Sequence, residues 1–157
     1  MAVMEDQQIL QEIGFGFFGP YPLAGMAEFW ADKVEKTLLA LKSRGIGATL
    51  TLTEDDPFQD SYGKMGVLHA HVPVDDGEAP TIESMDKALA FVNECLAKGV
   101  GVAVQCLEGR GRTGTVLCAW LAAKESLSWD QAVARARALR PLIALSPPQK
   151  AFLQTYI

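Results

Sequence analysis

No apolar run in the sequence approaches the ~20 residues that cross a bilayer, so membrane insertion is not expected. Cysteine is sparse: the three, Cys95, Cys106 and Cys118, are too few and too odd in number for a secreted disulfide framework. None is paired as C-x-x-C, and only two histidines, His69 and His71, are present, so no zinc-type ligand set is expected. The opening stretch MAVMEDQQIL is acidic and lacks the apolar core of a secretory signal, which makes a cytoplasmic location the expectation. Internal repeats and low-complexity linkers are also missing. A length of 157 residues then suits one domain, residues 1–157, with room for a real core.

Positive charge is scarce in the first part of the chain. Residues 1–96 carry 6 Lys/Arg against 16 Asp/Glu, whereas residues 97–157 carry 8 against 3. An acidic half beside a basic half argues against a broad nucleic-acid surface and suits a local anion site in the second half.

The segments that are present alternate. GATLTLT (47–53), VLHAHV (67–72) and VGVAV (100–104) are short β-branched runs that read as strands. Helical spacing joins Val34, Leu38 and Leu41 within 32–44, and Ile82, Met85, Leu89, Val92 and Leu96 within 81–97, with Thr81 as N-cap. Ser128 with Gln131, and Ser146 with Gln149 behind Pro147, each have the spacing of a capping box. Strands alternating with helices imply an α/β fold with a central, mainly parallel sheet flanked by helices. Ligands of such sheets sit at the carboxyl ends of the strands.

At that position, between the strand at 100–104 and a helix beginning TGTVLCAW, lies QCLEGRGRTG (105–114). Gly109, Gly111 and Gly114 let backbone N–H groups approach an anion, and the following helix adds its positive end. Arg112 is placed to grip two phosphate oxygens with its planar fork. The same positive surroundings favour the thiolate of Cys106, a nucleophile beneath a bound phosphoryl group. No Walker pattern, which would need Gly-Lys followed by Ser or Thr, is present.

CLEGRGRTG resembles the C-x5-R phosphate loop of the protein tyrosine phosphatase superfamily, and the whole chain is similar to its small atypical dual-specificity members. YPLAGM (21–26) looks like the first strand of these domains, LTLTED (50–55) like the strand end with their substrate-facing loop, and VPVDDGEAP (72–80) like their mobile acid loop. RPLIALSPPQKAFLQTY (140–156) resembles the segment after their penultimate helix. The resemblance implies a phosphatase working through a phosphocysteine, with no cofactor and no metal. Cys106 is the implied nucleophile, and Arg112 with the loop residues Leu107, Glu108, Gly109, Arg110 and Gly111 the implied phosphate cradle.

A leaving oxygen needs a proton, and Asp76, ahead of Pro80, matches the family's general acid best, with Asp75 as the alternative. Thr113 stands where relatives carry a hydroxyl that hydrogen-bonds the sulfur. Gln149 matches a glutamine that positions the attacking water in many relatives, although it equally serves as a capping residue. Gln105 departs from the family, which usually has histidine there. His69 and His71 are read as structural.

The expected substrate is a phosphorylated protein or peptide, chiefly at phosphotyrosine, with phosphoserine and phosphothreonine open, and the expected state is a monomer. A phosphoinositide or other non-protein ester remains the alternative, favoured by Arg110. A phosphate-binding module without turnover has Gln105 as its support. Glu108 is expected on the rim beside Arg110, outside the cradle.

Overall fold

The computed structural model of the protein describes residues 2–157, with side chains from Met4 onward. Helix α1 (Ala2–Glu12) leads through the short strand β1 (Gly16–Phe17) into β2 (Leu23–Ala27). One 3-10 turn precedes α2 (Val34–Ser43), followed by β3 (Ile46–Thr51), α3 (Gln59–Lys64) and β4 (Leu68–His71). The second half runs α4 (Ile82–Ala97), β5 (Gly101–Cys106), α5 (Arg112–Glu125), α6 (Trp129–Leu139) and α7 (Pro147–Tyr156).

The five strands lie in the order β1-β2-β5-β3-β4. Only the β1–β2 pair is antiparallel, so the sheet is mainly parallel, as the alternation of patterns requires. Ala27 of β2 pairs with Cys106 of β5, and Thr51 of β3 with Gln105. Three strands therefore end level with one another, and the loops that leave them meet at one edge.

Side chains alternate across β5. Val102, Val104 and Cys106 enter the larger core with residues of α4, α5, α6 and α7, while Ala103 joins the smaller core with residues of α1 and α2. Helix α5 is buried without interruption from Arg112 to Ala122, the condition of a helix enclosed on all sides. Between Thr115 and Lys124 its sequence holds no charged, amide or hydroxyl side chain.

The helix signals act locally as read. The Thr81 hydroxyl accepts the Ser84 N–H at 3.0 Å and starts α4. Gln131 reaches back to the Ser128 N–H at 3.1 Å at the start of α6. The buried stripe of α4 is rotated from the expected one. Met85, Ala88, Val92 and Cys95 face the core, while Ile82 is 57% exposed and Leu89 and Leu96 only flank the packing. Ala88 and Cys95 are the small residues that let this helix lie close to the sheet. Among the described residues, no helix is long and apolar enough to cross a membrane.

Candidate active site

The last residue of β5 is Cys106, only 3% exposed. The chain then turns through residues 107–111 and enters α5 at Arg112, one residue earlier than the sequence pattern suggests. Four carbonyls of this loop are engaged, three by neighbouring segments and one by α5 itself. Leu107 O accepts the Glu28 N–H, Gly109 O accepts Arg140, Arg110 O accepts the Ala144 N–H and Gly111 O accepts the Thr115 N–H. In a planar trans peptide the next N–H points the opposite way. The amides of Glu108, Arg110, Gly111 and Arg112 are thereby turned toward the inside of the loop, beside the first turn of α5 and the positive end of its dipole. Gly109 has φ +70°, and a Cβ there would lie 2.7 Å from Met26 O, so only glycine fits this point of contact with β2. Gly114, expected to free a loop amide, instead sits inside the first turn of α5, with Ile143 packed over it.

Thr113, in the first turn of α5, donates its hydroxyl to Cys106 Sγ at 3.1 Å. Arg112 is itself buried, 3% exposed. Its Nη1 donates to Val74 O at 2.7 Å and to Glu54 Oε1 at 2.5 Å, and its Nη2 stands 3.3 Å from Asp76 Oδ1. Asp76, not Asp75, lines the cleft. Cys106, Leu107, Glu108, Arg110, Gly111, Arg112, Asp76 and Gln149 converge on that one cleft, of about 210 Å³. Thr113 stands behind the sulfur and Gly109 is buried against β2. Glu108 and Arg110 stand exposed at the rim of the cleft, with Arg110 Nε 3.9 Å from Glu108 Oε2. Among the described residues, no group of three or more His, Cys, Asp or Glu side chains is placed to hold a metal ion.

Two contributors were not assigned from the sequence. Glu54, from the loop after β3, caps the Arg112 fork, and its own backbone N–H, then Arg112, holds its carboxyl below the usual range. Both histidines tie down this loop: His71 Nε2 to Thr53 O and His69 Nε2 to Asp56 Oδ2, each 2.7 Å. Arg140, just past α6, is 4% exposed and gives Nε and Nη2 to Gly109 O at 3.2 and 3.0 Å, with Nη1 on Gly14 O at 3.0 Å. It lies across Gly25, where a Cβ would come within 2.7 Å of Nε. Burial lowers its pKa, while the Cys106 side chain pulls the other way. The visible signal for Arg140 was an arginine beside the helix-stopping Pro141. For Glu54 it was a carboxylate in the segment that resembles the substrate-facing loop.

Gln105 faces away from the cleft. Its Nε2 donates to Thr51 Oγ1 at 2.7 Å and Tyr62 OH at 2.9 Å, and Tyr62 stacks on His69 with ring centroids 3.8 Å apart. Strand alternation sends residue 105 to one side and residue 106 to the other. The glutamine thus joins β5 to β3 and α3 beneath the loop.

A family model described as "Polymorphic toxin system, DSP-PTPase phosphatase" matches residues 24–125, and the chain belongs to this family of phosphatases. Phosphatidylglycerophosphate phosphatase PTPMT2 of Arabidopsis thaliana is 27% identical over 144 residues, covering 81% of this chain and 62% of that protein. Human dual specificity protein phosphatase 12 is 28% identical over 103 residues, covering 64% of this chain and 30% of that protein. The chain thus spans less than two thirds of the length of the curated relatives it matches first. The crystal structure of Tk-PTP in the active form superposes with a TM-score of 0.79 at 27% identity, covering 91% of this chain and 95% of that one. The human DUSP28 structure shares the fold, with a TM-score of 0.74 at 21% identity, covering 91% of this chain and 92% of that one.

Proposed function

We propose that the protein hydrolyses phosphate monoesters on tyrosine, and secondarily serine and threonine, side chains of proteins, through a phosphocysteine. Cys106 Sγ forms a bond to phosphorus as the P–O bond to the leaving group breaks, and Asp76 gives its proton to that oxygen. Arg112, with the amides of Glu108, Arg110, Gly111 and Arg112 itself, stabilises the charge spread over the equatorial oxygens. Water then attacks phosphorus, Asp76 takes its proton, and the S–P bond breaks while the Thr113 hydroxyl stabilises the departing sulfur. Residues 1–157 act in this reading as one catalytic domain, monomeric and cytoplasmic. The observation that carries the chemistry is the meeting of the Thr113–Cys106 and Arg112–Asp76 contacts in one cleft.

The acidic surroundings support a protein substrate. Beside the cradle and sharing Asp76, Leu107 and Arg112 with it, a second cleft is lined by Glu28, Glu54 and Asp55. Glu108 stands on the outer rim with Arg110 as its neighbour. A singly phosphorylated peptide adds less negative charge to this setting than a polyphosphorylated headgroup. A lipid or other non-protein phosphate ester is the second reading, supported by the similarity to PTPMT2. Phosphate release from phosphotyrosyl and phosphoseryl peptides, measured beside phosphatidylglycerophosphate and phosphoinositides, tests the choice. A kcat/KM at least ten times higher on the lipids would overturn the protein reading. Cys106→Ser should abolish turnover on every substrate while the folded protein still binds vanadate, because a neutral hydroxyl without a base is a poor nucleophile. Activity near wild type would remove Cys106 from its role.

A further inference from the structure

The tip of the acid loop has no apolar anchor. Residues 75–78 are all exposed, and the nearest buried side chains are Val74 before them and Pro80 after them. Three of these four residues are acidic, and they face a site that must accept a phosphate dianion. The Asp76–Arg112 ion pair holds the tip only while Asp76 is charged and the Arg112 fork is not committed to phosphate. Catalysis removes both conditions, since the acid must carry its proton and the guanidinium must turn to the phosphoryl oxygens. Something neutral has to keep the Asp76 carboxyl over the leaving oxygen.

Two side chains beside the site meet that requirement. Ser146 Oγ donates to Gly77 O at 2.7 Å, and Gln149 Nε2 donates to Glu78 O at 3.1 Å. Gln149 is 1% exposed, and its other end is also occupied, with Oε1 accepting the Ser146 N–H at 2.9 Å. The capping box of α7 therefore fixes the rotamer that presents Nε2 to the acid loop. Both donors take backbone carbonyls, so the latch does not depend on which side chains the tip carries or on their ionisation.

We propose that Ser146 and Gln149 are positioning residues that latch the acid loop closed for the first chemical step, and that Gln149 serves the proton donor rather than the attacking water. The assignment rests on the phosphocysteine mechanism above. Removing either hydrogen bond lets the loop tip leave and weakens proton delivery. The loss concentrates on substrates whose leaving oxygen needs the proton.

Two variants and two substrates separate the roles. Gln149→Glu keeps an acceptor for the Ser146 N–H, and glutamate is itself a capping-box residue, but it cannot donate to Glu78 O. Ser146→Ala removes the link to Gly77 and the hydroxyl that accepts the Gln149 N–H, but keeps the Ser146 N–H that holds Gln149 Oε1. For each, kcat/KM is measured with phenyl phosphate, a poor leaving group, and with p-nitrophenyl phosphate, a good one, after circular dichroism confirms folding. Because kcat/KM covers only the steps through phosphocysteine formation, it is blind to the later attack by water.

The expected result is a loss of roughly 3- to 10-fold on phenyl phosphate, the usual worth of one hydrogen bond, and a smaller loss on p-nitrophenyl phosphate. Added negative charge near the cradle lowers both values together and leaves their ratio unchanged, so the ratio is the readout. An unchanged ratio in both variants would overturn the latch. So would an unchanged kcat/KM accompanied by a lower kcat and trapped phosphocysteine in Gln149→Glu, which is the signature of a water-positioning residue. An inactive wild type on both esters would instead overturn the phosphatase reading itself, and the latch with it.

Discussion

Cys106, Gly109, Arg112 and Thr113 are all buried, whereas residues 75–78 on the facing loop are all exposed. The phosphate loop is closed on its outer side by Arg140, the Glu28 and Ala144 amides and the start of α5. The acid loop touches the rest of the site through the Arg112 fork and the side chains of Ser146 and Gln149. A cradle for charge gains from fixed dipoles that need no reorganisation as the transition state forms. A proton donor has to approach an oxygen that departs and then serve a water that arrives. The difference separates the part that binds from the part that times.

The comparison predicts that the two sides fail differently. Asp76→Ala should reduce turnover by roughly 10²–10⁴, the usual contribution of a general acid, with a smaller loss on good leaving groups and little change in melting temperature. A larger loss from Asp75→Ala would move the acid by one residue and contradict the placement of Asp76 in the cleft.

Arg140→Met should strike both stability and rate. The substitution keeps a long side chain over Gly25 but removes the donors to Gly109 O and Gly14 O. Leaving the buried Gly109 carbonyl and the half-buried Gly14 carbonyl without partners costs about 1–3 kcal/mol each. For two carbonyls in a chain of this size that corresponds to a melting temperature lower by roughly 4–24 °C. The loss of kcat/KM should be alike for good and poor leaving groups, because the cradle and not the acid is loosened. A folded variant with unchanged kcat/KM would show that Gly109 O does not need this brace.

Smaller again is the effect of the two histidines that secure the Glu54 loop. Burial holds His69 below its ordinary pKa of 6.5, opposed by Asp56 at 2.7 Å. His71 adds a like-charge influence in the same direction as burial, and the Tyr62 ring covers the imidazole face. The folded protein therefore binds this proton less readily than the unfolded chain, and stability falls as the pH drops through 6.5. The fall ends once the pH is below the folded value. Denaturant midpoints between pH 8 and 5 should show this component in the wild type and lose it in His69→Gln. Identical profiles would place the acid sensitivity elsewhere.

Local chemistry made much of this legible. The loop at 105–114 announces itself because glycines, a thiol and an arginine occupy a strand-to-helix junction, and the capping residues of α4, α6 and α7 work within three or four positions of themselves. What stayed hidden depends on partners far apart in the chain. Arg112 meets Glu54 58 positions away, and Arg140 meets Gly14 126 positions away. No periodicity reports such pairs. β1, with two residues, and α3, with six, are too short to carry a pattern. Gln105 stands where the family usually has histidine, and the sequence alone does not say what it touches. Its hydrogen bonds to Thr51 and Tyr62 became visible only when strand alternation set it on the face opposite Cys106.

The smallest effect is expected at Glu108, the carboxylate inside the phosphate-binding sequence. Its side chain is 71% exposed, and the Arg110 side chain that faces it at 3.9 Å is 51% exposed. An exposed pair of this kind contributes only ~0–1 kcal/mol to stability, so Glu108→Ala should fold normally. The amide of residue 108, which belongs to the cradle, is unaffected by removing the carboxylate. Turnover on p-nitrophenyl phosphate should therefore stay within a few-fold of wild type. The rim, however, loses one negative charge and frees Arg110, so preference should move toward substrates with acidic groups beside the phosphate. Rim charges are screened over about 10 Å at 0.1 M salt, and the shift should shrink as salt is raised, which separates a field effect from a lost contact. Competition between an acidic and a basic phosphopeptide at low and high salt measures it directly. A Glu108→Ala protein that folds but has lost all activity would mean that the side chain orders the loop, and that the phosphate-binding side depends on its exposed rim after all.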